Sequence, residues 1–265
     1  MRVIIVESAA EVAQVAAERI ARAVRERRAA GAAAVLGVAT GSSPVGTYNE
    51  LATMVRDGGL DMTGVRAFAL DEYVGLAHEH PESYHAVIHR TVTEPLGLDP
   101  ALVQVPNGLA DDLDAACREY ERAIADAGGV DLQLLGIGSN GHIAFNEPTS
   151  SLASRTRTKT LAAQTRDDNA RFFDSLDRVP MHCLTQGIGT ILDAHHLLLV
   201  ATGESKADAV AAMIEGPLSS MCPASALQLH PRAAVVIDRE AAQKLTLTEY
   251  YEHIEAHPLP GASAA

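Results

Sequence analysis

A glycine-rich stretch near the middle of the chain carries side chains suited to proton transfer. Residues 135–147 read LGIGSNGHIAFNE, in which three glycines fall within six residues and precede a histidine and a glutamate. Glycines at this density favour sharp turns and a close approach of the backbone to a ligand. A histidine near a carboxylate is a proton-transfer pair. His142, Glu147 and the neighbouring Asn140 are therefore either an acid–base group or a structural histidine with its hydrogen-bond partners.

The same stretch contains the spacing GxGxxG at residues 136–141, which is a weak indication of a dinucleotide site. No helix pattern follows it, and no acidic residue stands where a ribose contact would need one. The spacing therefore does not predict a nucleotide cofactor.

Two turns rich in small residues could bind an anion. Residues 40–44 read TGSSP and residues 202–206 read TGESK, and each precedes a helix pattern. Backbone N–H groups and the dipole at a helix start favour negative charge, and Ser42 and Ser43 add hydroxyl donors. A lysine in a first helical turn opposes that dipole, so a binding role would explain Lys206. Ordinary strand-to-helix turns account for both segments about equally well.

Asp71 follows an apolar run, as the first residue of DEY at residues 71–73. A carboxylate at the buried end of a strand often has a perturbed pKa and serves as a base. On the residues alone, a turn cap or a partner for an arginine is slightly favoured over a catalytic role.

Two further charged patterns could be either binding sites or ordinary solvent-exposed surface. Residues 154–159 read SRTRTK, and in an extended chain the three cations would share one side, either to hold an anion or to face solvent. Four histidines fall close together: His78, His80, His85 and His89. No carboxylate or thiol completes a recognisable zinc set with them, so we expect a solvated helix and no metal site.

The elements that must position these residues alternate between strand and helix. Apolar runs occur at residues 3–6, 33–38, 65–70, 130–137, 197–201 and 233–237, separated by helical patterns. Near-continuous apolar runs are typical of strands buried on both faces. The sequence therefore predicts an α/β fold with an open, mainly parallel, Rossmann-like sheet flanked by helices. Ligands bind such sheets at the carboxyl ends of the strands, where the chemically interesting segments fall.

No linker rich in Ser, Gly or Pro divides the chain, so we expect a single domain over residues 1–265. Residues 150–180 lack strong strand character and are rich in Arg, Thr and Asp. We expect this segment to be a mobile excursion that acts as a lid.

Composition excludes several classes of protein. The chain has 265 residues, with 21 Lys and Arg against 34 Asp and Glu, for a net charge of −13. That balance argues against a general nucleic-acid partner, which needs cations to displace counterions. No apolar stretch approaches the ~20 residues of a membrane span. Three scattered cysteines suggest no disulfide framework, which fits a reducing compartment, and we expect a cytoplasmic protein.

Taken together, these motifs resemble the glucosamine-6-phosphate deaminases, and the resemblance covers nearly the whole chain. The most specific runs are LDEYVG at residues 70–75 and GHIAFNEP at residues 141–148. They are joined by ATGSSP at 39–44, PESY at 81–84, SRTR at 154–157, LT at 184–185 with Gly187, and LQLHP at 227–231. Related sugar-phosphate isomerases and lactonases share the fold without this full set.

The resemblance implies a Rossmann-like α/β fold, no metal or organic cofactor, and conversion of glucosamine 6-phosphate and water to fructose 6-phosphate and ammonia. Matched to the family's motifs, Asp71 is the base that moves the C2 proton, and His142 opens the sugar ring with the help of Glu147 and residue 140. The phosphate contacts implied by the match are Ser42, Ser43, Arg171 and Lys206. Many members carry Asp at position 140, whereas Asn140 can orient the imidazole but adds no charge.

In allosteric members of the family, an N-acetylated sugar phosphate such as N-acetylglucosamine 6-phosphate binds a second site. The matching positions are Ser150, Arg157, Lys159, Thr160 and Tyr250. Members include hexamers and monomers, and the sequence does not distinguish a homo-oligomer from a monomer.

Three functions remain open at this point. The main interpretation is the deaminase, and a second is a related deaminase or isomerase for a sugar of other stereochemistry. A third is a sensor that binds a sugar phosphate without turnover. The presence together of Asp71, His142 and Glu147 argues against a sensor, because binding alone does not require all three.

Overall fold

The computed structural model describes residues 1–257, which form alternating strands and helices from the first residues onward. In chain order the elements are β1 (Arg2–Val6), α1 (Ala9–Ala29), β2 (Val35–Val38), α2 (Ser42–Arg56), β3 (Arg66–Ala69), β4 (Asp71–Tyr73), α3 (Tyr84–Ile88), β5 (Val103–Gln104), α4 (Leu113–Asp126), β6 (Leu132–Leu135), β7 (Arg157–Thr160), α5 (Ala163–Asn169), β8 (His182–Thr185), α6 (Ile188–Leu192), β9 (His196–Ala201), α7 (Ala207–Ile214), β10 (Ala233–Asp238), α8 (Arg239–Ala242) and α9 (Thr248–Ala256). Residues 258–265 of the expected domain lie outside the described residues.

Seven strands form one sheet in the order β1-β10-β9-β6-β2-β3-β5, and every neighbouring pair is parallel. Alternate residues of each strand enter two cores, one on each face. Leu36 of β2 packs in the core that contains Ile20 of α1 and Leu51 of α2. Val35 packs in the opposite core with Tyr120 of α4 and Val210 of α7. Both faces are covered by helices, which confirms the predicted open α/β fold.

The first helix has residues suited to its two ends. The hydroxyl of Ser8 accepts a hydrogen bond from the backbone N–H of Glu11, at 3.3 Å, and so satisfies one free donor of the first turn. Gly31 follows the last turn with a φ of 76°, a left-handed conformation that favours glycine.

A second, antiparallel sheet contradicts part of the expectation for residues 150–180. Its strand order is β4-β8-β7, and β7 lies inside the segment predicted to lack strand character. The sequence of β7 is RTKT, and its residues are half-buried or exposed. Because β7 is the edge of a small sheet, pairing with β8 stabilises it without an apolar pattern. Mobility of the segment as a lid stays a prediction.

No helix within residues 1–257 is long and apolar enough to cross a membrane.

Candidate active site

A cleft of about 400 Å³ lies at the carboxyl ends of four adjacent strands, β9, β6, β2 and β3. It brings together six of the predicted site residues: Ser42, Ser43, Asp71, His142, Arg171 and Lys206. Asn140 and Glu147 lie on the same loop as His142, where Asn140 is hydrogen-bonded to both of the other residues. All eight predicted catalytic and phosphate positions therefore meet in one region, as expected where parallel strands end together.

One end of the cleft is suited to an anion. Gly41 precedes α2 with a φ of 92°, and within residues 1–257 no side-chain hydrogen bond caps this helix, so its first N–H groups remain available beside Ser42 and Ser43. Lys206 ends the short 3-10 turn Glu204–Lys206, which starts after β9. Arg171, on the turn Ala170–Phe172, lines the same cleft. These groups form a cationic end in an acidic protein.

The surroundings of Lys206 make its positive charge costly, so a bound anion would stabilise that charge. Burial lowers the pKa of Lys206, Asp168 opposes that change, and Arg171 adds to it because the two cations repel each other. Arg171 is exposed, and its guanidinium lies 4.7 Å from the centre of the Phe172 ring. A bound dianion would relieve the repulsion between these two cations.

Asp71 is the first residue of β4 and pairs with Thr185 of β8. It is 5% exposed. Burial raises its pKa well above the usual range, and the neighbouring Glu72 raises it further. A carboxylate that is costly to ionise binds a proton strongly, which is the property of a general base.

The adjacent carboxylate has a different task, which the sequence alone did not separate. Glu72 accepts hydrogen bonds from the backbone N–H groups of Tyr73, Tyr84 and His85 at 2.7–2.9 Å. Two of those donors belong to the first turn of α3, so Glu72 caps this helix. The structural cap that the sequence allowed for Asp71 is thus provided by Glu72, whereas Asp71 lines the cleft.

His142 lies at the centre of a polar group within the loop after β6. Oδ1 of Asn140 accepts from the backbone N–H of His142 at 3.1 Å, and Nδ2 of Asn140 donates to Oε2 of Glu147 at 2.9 Å. The same Oε2 is 3.6 Å from Nδ1 of His142. Asn140 therefore fixes the loop backbone and the carboxylate at once, and the carboxylate faces the imidazole.

Glu147 is strongly favoured as an anion. Burial raises its pKa, but contacts from His142, Thr165 and Asn140 outweigh burial and lower the pKa to about 2. Oγ1 of Thr165 is 2.5 Å from Oε1 of Glu147. An ionised carboxylate behind a histidine stabilises an imidazolium and orients the ring.

Several side chains of the cleft carried no predicted role. Tyr84 lines it and stands in the PESY motif, which is the one signal that could have indicated it. Asp168 and Asn169 line it from α5, and Nδ2 of Asn169 donates to the phenol oxygen of Tyr73 at 2.9 Å. Thr165 also belongs to α5, and no sequence signal distinguishes it from other threonines.

The predicted effector positions are divided between two regions. Arg157, Lys159 and Thr160 lie on β7, and Nη1 of Arg157 donates to Oδ1 of Asn146 at 2.9 Å. Ser150 is buried, with its hydroxyl unpartnered among the described residues. Tyr250 lies on α9 and is 59% exposed. Among residues 1–257, no hydrogen bond or ring contact joins Tyr250 to the other four.

The histidine cluster contributes no side chain to the cleft. His78 and His85 stack with ring centres 4.5 Å apart, and His85 lies on α3. Within residues 1–257, no group of three or more His, Cys, Asp or Glu side chains is arranged to hold a metal ion.

The cleft combines a buried carboxylate, a histidine and two cations at the carboxyl edge of an open parallel sheet, an arrangement suited to a phosphorylated substrate. The model of the glucosamine-6-phosphate isomerase/6-phosphogluconolactonase family matches residues 7–237, and the chain belongs to this family. It is 57% identical over 251 residues to the glucosamine-6-phosphate deaminase of Cutibacterium acnes, which is 95% of each chain. It is also 57% identical over 258 residues to the Streptomyces coelicolor glucosamine-6-phosphate deaminase, covering 97% of each chain.

Solved structures agree with this assignment. A monomeric glucosamine-6-phosphate deaminase superposes with a TM-score of 0.89 at 44% identity, covering 92% of this chain and 100% of that one. The 6-phosphogluconolactonase of Trypanosoma cruzi superposes with a TM-score of 0.72 at 20% identity, covering 92% of this chain and 97% of that one. The second likeness shows the shared fold.

Proposed function

We propose that this chain is a glucosamine-6-phosphate deaminase, which converts glucosamine 6-phosphate and water to fructose 6-phosphate and ammonia. The observation that carries the proposal is the cleft, which holds a buried carboxylate, a histidine backed by an ionised glutamate, and a cationic end. The identity to deaminases over nearly the full chain supports the same reaction.

The phosphate occupies the cationic end of the cleft. The N–H groups at the start of α2, the hydroxyls of Ser42 and Ser43, and the charges of Lys206 and Arg171 supply its donors. Charge-assisted hydrogen bonds to phosphate are the strong class, and they place the sugar with its reacting carbons toward Asp71 and His142.

Ring opening is the first chemical step. The imidazole of His142 accepts the proton of the O1 hydroxyl and returns one to the ring oxygen O5, which breaks the C1–O5 bond. Glu147 stabilises the imidazolium that forms between these two transfers, and Asn140 holds Glu147 in place.

Isomerisation and deamination follow. Asp71 takes the proton from C2, which the substrate's own ammonium group acidifies, and delivers a proton to C1. One carboxylate on one face of the sugar is sufficient for this 1,2-shift. Water then adds at C2 and ammonia leaves, which gives fructose 6-phosphate.

A substrate panel tests the assignment. Ammonia and fructose 6-phosphate are measured with glucosamine 6-phosphate, and ammonia and the corresponding ketose phosphate with galactosamine 6-phosphate. Hydrolysis of 6-phosphogluconolactone is followed in parallel. We expect turnover of the first substrate alone, and its loss in Asp71→Asn. Preferential turnover of either other substrate would replace the proposal with the corresponding family member. Binding of glucosamine 6-phosphate without turnover would indicate a sensor.

We also propose that residues 150–180 close over the bound sugar phosphate. Arg171 belongs to this segment, so closure would bring its charge onto the phosphate and exclude water from the reacting carbons. Hydrogen exchange across the segment should slow when a sugar-phosphate analogue binds. Unchanged exchange with the analogue bound would indicate a rigid site.

Activation by N-acetylglucosamine 6-phosphate at Ser150, Arg157, Lys159, Thr160 and Tyr250 is a further proposal. It is supported by the register of the small sheet, in which Thr185 pairs with Asp71 on one side and Arg157 on the other. Rate curves with and without the effector test it, and superimposable curves would exclude activation.

The oligomeric state and the location of the protein also remain proposals. A homo-oligomer is tested by light scattering in solution. The cysteines Cys117, Cys183 and Cys222 are all free, which fits a reducing compartment and supports a cytoplasmic location.

A further inference from the structure

One threonine of α5 contacts the carboxylate behind the catalytic histidine. Oγ1 of Thr165 donates to Oε1 of Glu147 at 2.5 Å, and Thr165 is 4% exposed. The backbone N–H of Ala162, just before α5, donates to the same oxygen at 3.4 Å. Oε1 of Glu147 is therefore held from the segment of residues 150–180 and not from its own loop.

The second oxygen of Glu147 has different partners. Oε2 accepts from Nδ2 of Asn140 at 2.9 Å and faces Nδ1 of His142 at 3.6 Å. A carboxylate is rigid and planar, so a hydrogen bond to one oxygen limits where the other oxygen can lie. The hydroxyl of Thr165 thus helps to determine how far Oε2 stands from the imidazole.

Oε2 of Glu147 lies just beyond hydrogen-bond distance of the imidazole. Nδ1 of His142 is buried and has no hydrogen-bond partner among the described residues. A movement of Glu147 by less than ~1 Å would bring Oε2 within hydrogen-bond distance of Nδ1. The same segment carries Arg171 at the phosphate end of the cleft, so a shift of α5 would act on both ends.

We propose that Thr165 is a positioning residue, which holds Glu147 at the distance and orientation that its partnership with His142 requires. The inference rests on the proposed function, because it assigns to Thr165 a part in ring opening. Thr165 lines the cleft but is almost fully buried, and its hydroxyl is bonded to Glu147. Its loss should therefore lower kcat more than it changes KM.

A second threonine offers a matched control. Thr190 on α6 is 6% exposed, and its hydroxyl donates to Oε1 of Glu121, also at 2.5 Å. Glu121 lies outside the cleft and takes no part in the proposed reaction. Thr165→Val and Thr190→Val each remove one buried hydroxyl from one glutamate, so they separate a loss of positioning from a loss of stability.

Steady-state kinetics on folded variants test the proposal. We expect Thr165→Val to lower kcat about tenfold, because misplaced acid–base groups lose much of their contribution, with KM changed by less than about twofold. Thr165→Ser keeps the hydroxyl and should recover most of kcat, whereas Thr190→Val should leave kcat unchanged. If the valine variant does not fold, Thr165→Ala replaces it.

A double-mutant cycle decides whether Thr165 acts through Glu147. In a Glu147→Gln background, Thr165→Val should change kcat by less than about twofold, since the carboxylate to be positioned is already lost. Equal losses of kcat in both backgrounds, or no loss in the wild-type background, would overturn the inference. Absence of turnover in the wild-type protein would instead overturn the proposed function, so the two failures are distinguishable.

Discussion

Asp71 and Glu147 are both buried beside the same cleft, yet their surroundings move their pKa values in opposite directions. Burial and the charge of Glu72 raise the pKa of Asp71. The pKa of Glu147 is lowered to about 2, although this residue too is buried, because it faces a histidine and accepts hydrogen bonds from a hydroxyl and an amide. Hydrogen-bond donors and neighbouring charges, and not burial alone, therefore set the direction in which the pKa of each carboxyl group moves.

The largest expected effect comes from removing the proton-accepting member of the pair. Asp71→Asn should lower kcat by roughly 10²–10⁴-fold, since the amide cannot take the C2 proton. Binding of substrate should change little, because Asp71 acts on a C–H bond and contributes little to the ground state. Rapid-quench turnover and calorimetric titration check the two halves. A variant that keeps more than half of wild-type kcat would remove Asp71 as the base.

A change at the cationic end of the cleft should affect substrate binding and leave the two carboxylates unaffected. Lys206→Ala should raise KM by ~10–100-fold, because a charge-assisted bond to phosphate contributes about 1.5–3 kcal/mol. The pH dependence of kcat should stay as in the wild type, since neither carboxylate contacts Lys206. Arg171→Ala should act in the same direction. Equal kcat/KM for glucosamine with and without its phosphate would contradict this use of the cleft.

The free energy of unfolding should change in opposite directions in Asp71→Asn and in Glu147→Gln. The carboxylate of Glu147, with its pKa lowered from 4.5 to about 2, stabilises the folded state above pH 4.5, and that contribution is lost as the pH falls toward 2. The raised pKa of Asp71 means that its ionised form destabilises the folded state, and this cost disappears at low pH.

At pH 7, Asp71→Asn should therefore raise Tm and Glu147→Gln should lower it, each by about 2–4 °C per kcal/mol. Scanning calorimetry at pH 7 and pH 4 checks both the sign and its dependence on pH. Shifts of the same sign at pH 7 would mean that packing, and not charge, dominates at these two positions.

The smallest expected effect comes from Asn140→Asp, which gives Glu147 a neighbouring carboxylate, as Asp71 has in Glu72. Asn140→Asp replaces the amide that donates to Oε2 by a second carboxylate, at a contact of 2.9 Å. Like charges at this distance favour protonation of one of them, and the added charge also favours the imidazolium. The acid limb of the pH profile of kcat/KM should move to higher pH by ~1 unit. Asn140→Ser, which adds no charge, is the control, and a profile that moves to lower pH would contradict the electrostatic account.

Most of the sheet and much of the site follow from the sequence, because both depend on local patterns. Apolar runs predict the strands, and the carboxyl ends of parallel strands meet, which places Ser42, Asp71, His142 and Lys206 together without further knowledge. The roles of Asp71 and Glu72 could not be separated, because adjacent residues of a strand face opposite ways and the pattern does not say which side is the cleft.

The rest of the site depends on contacts between distant segments. Thr165 reaches Glu147 across eighteen residues of chain, and Asn169 reaches Tyr73 across ninety-six. Neither pairing leaves a periodic signal. The sequence allowed an extended chain at residues 154–159 but did not decide for the strand β7, because a polar edge strand is stabilised by its neighbour and not by an apolar pattern of its own.

The two glycines at the start of the site loop differ in what the chain can accept at each position. A Cβ at Gly138 would stand 2.2 Å from the imidazole of His142, whereas a Cβ at Gly136 meets nothing within 4 Å. Among random variants selected for activity, we therefore expect glycine at 138, where a Cβ would displace the His142 ring, and expect alanine to be accepted at 136. The two glycines of GIG thus differ in their tolerance to substitution, and the ring of His142 is the reason for the difference.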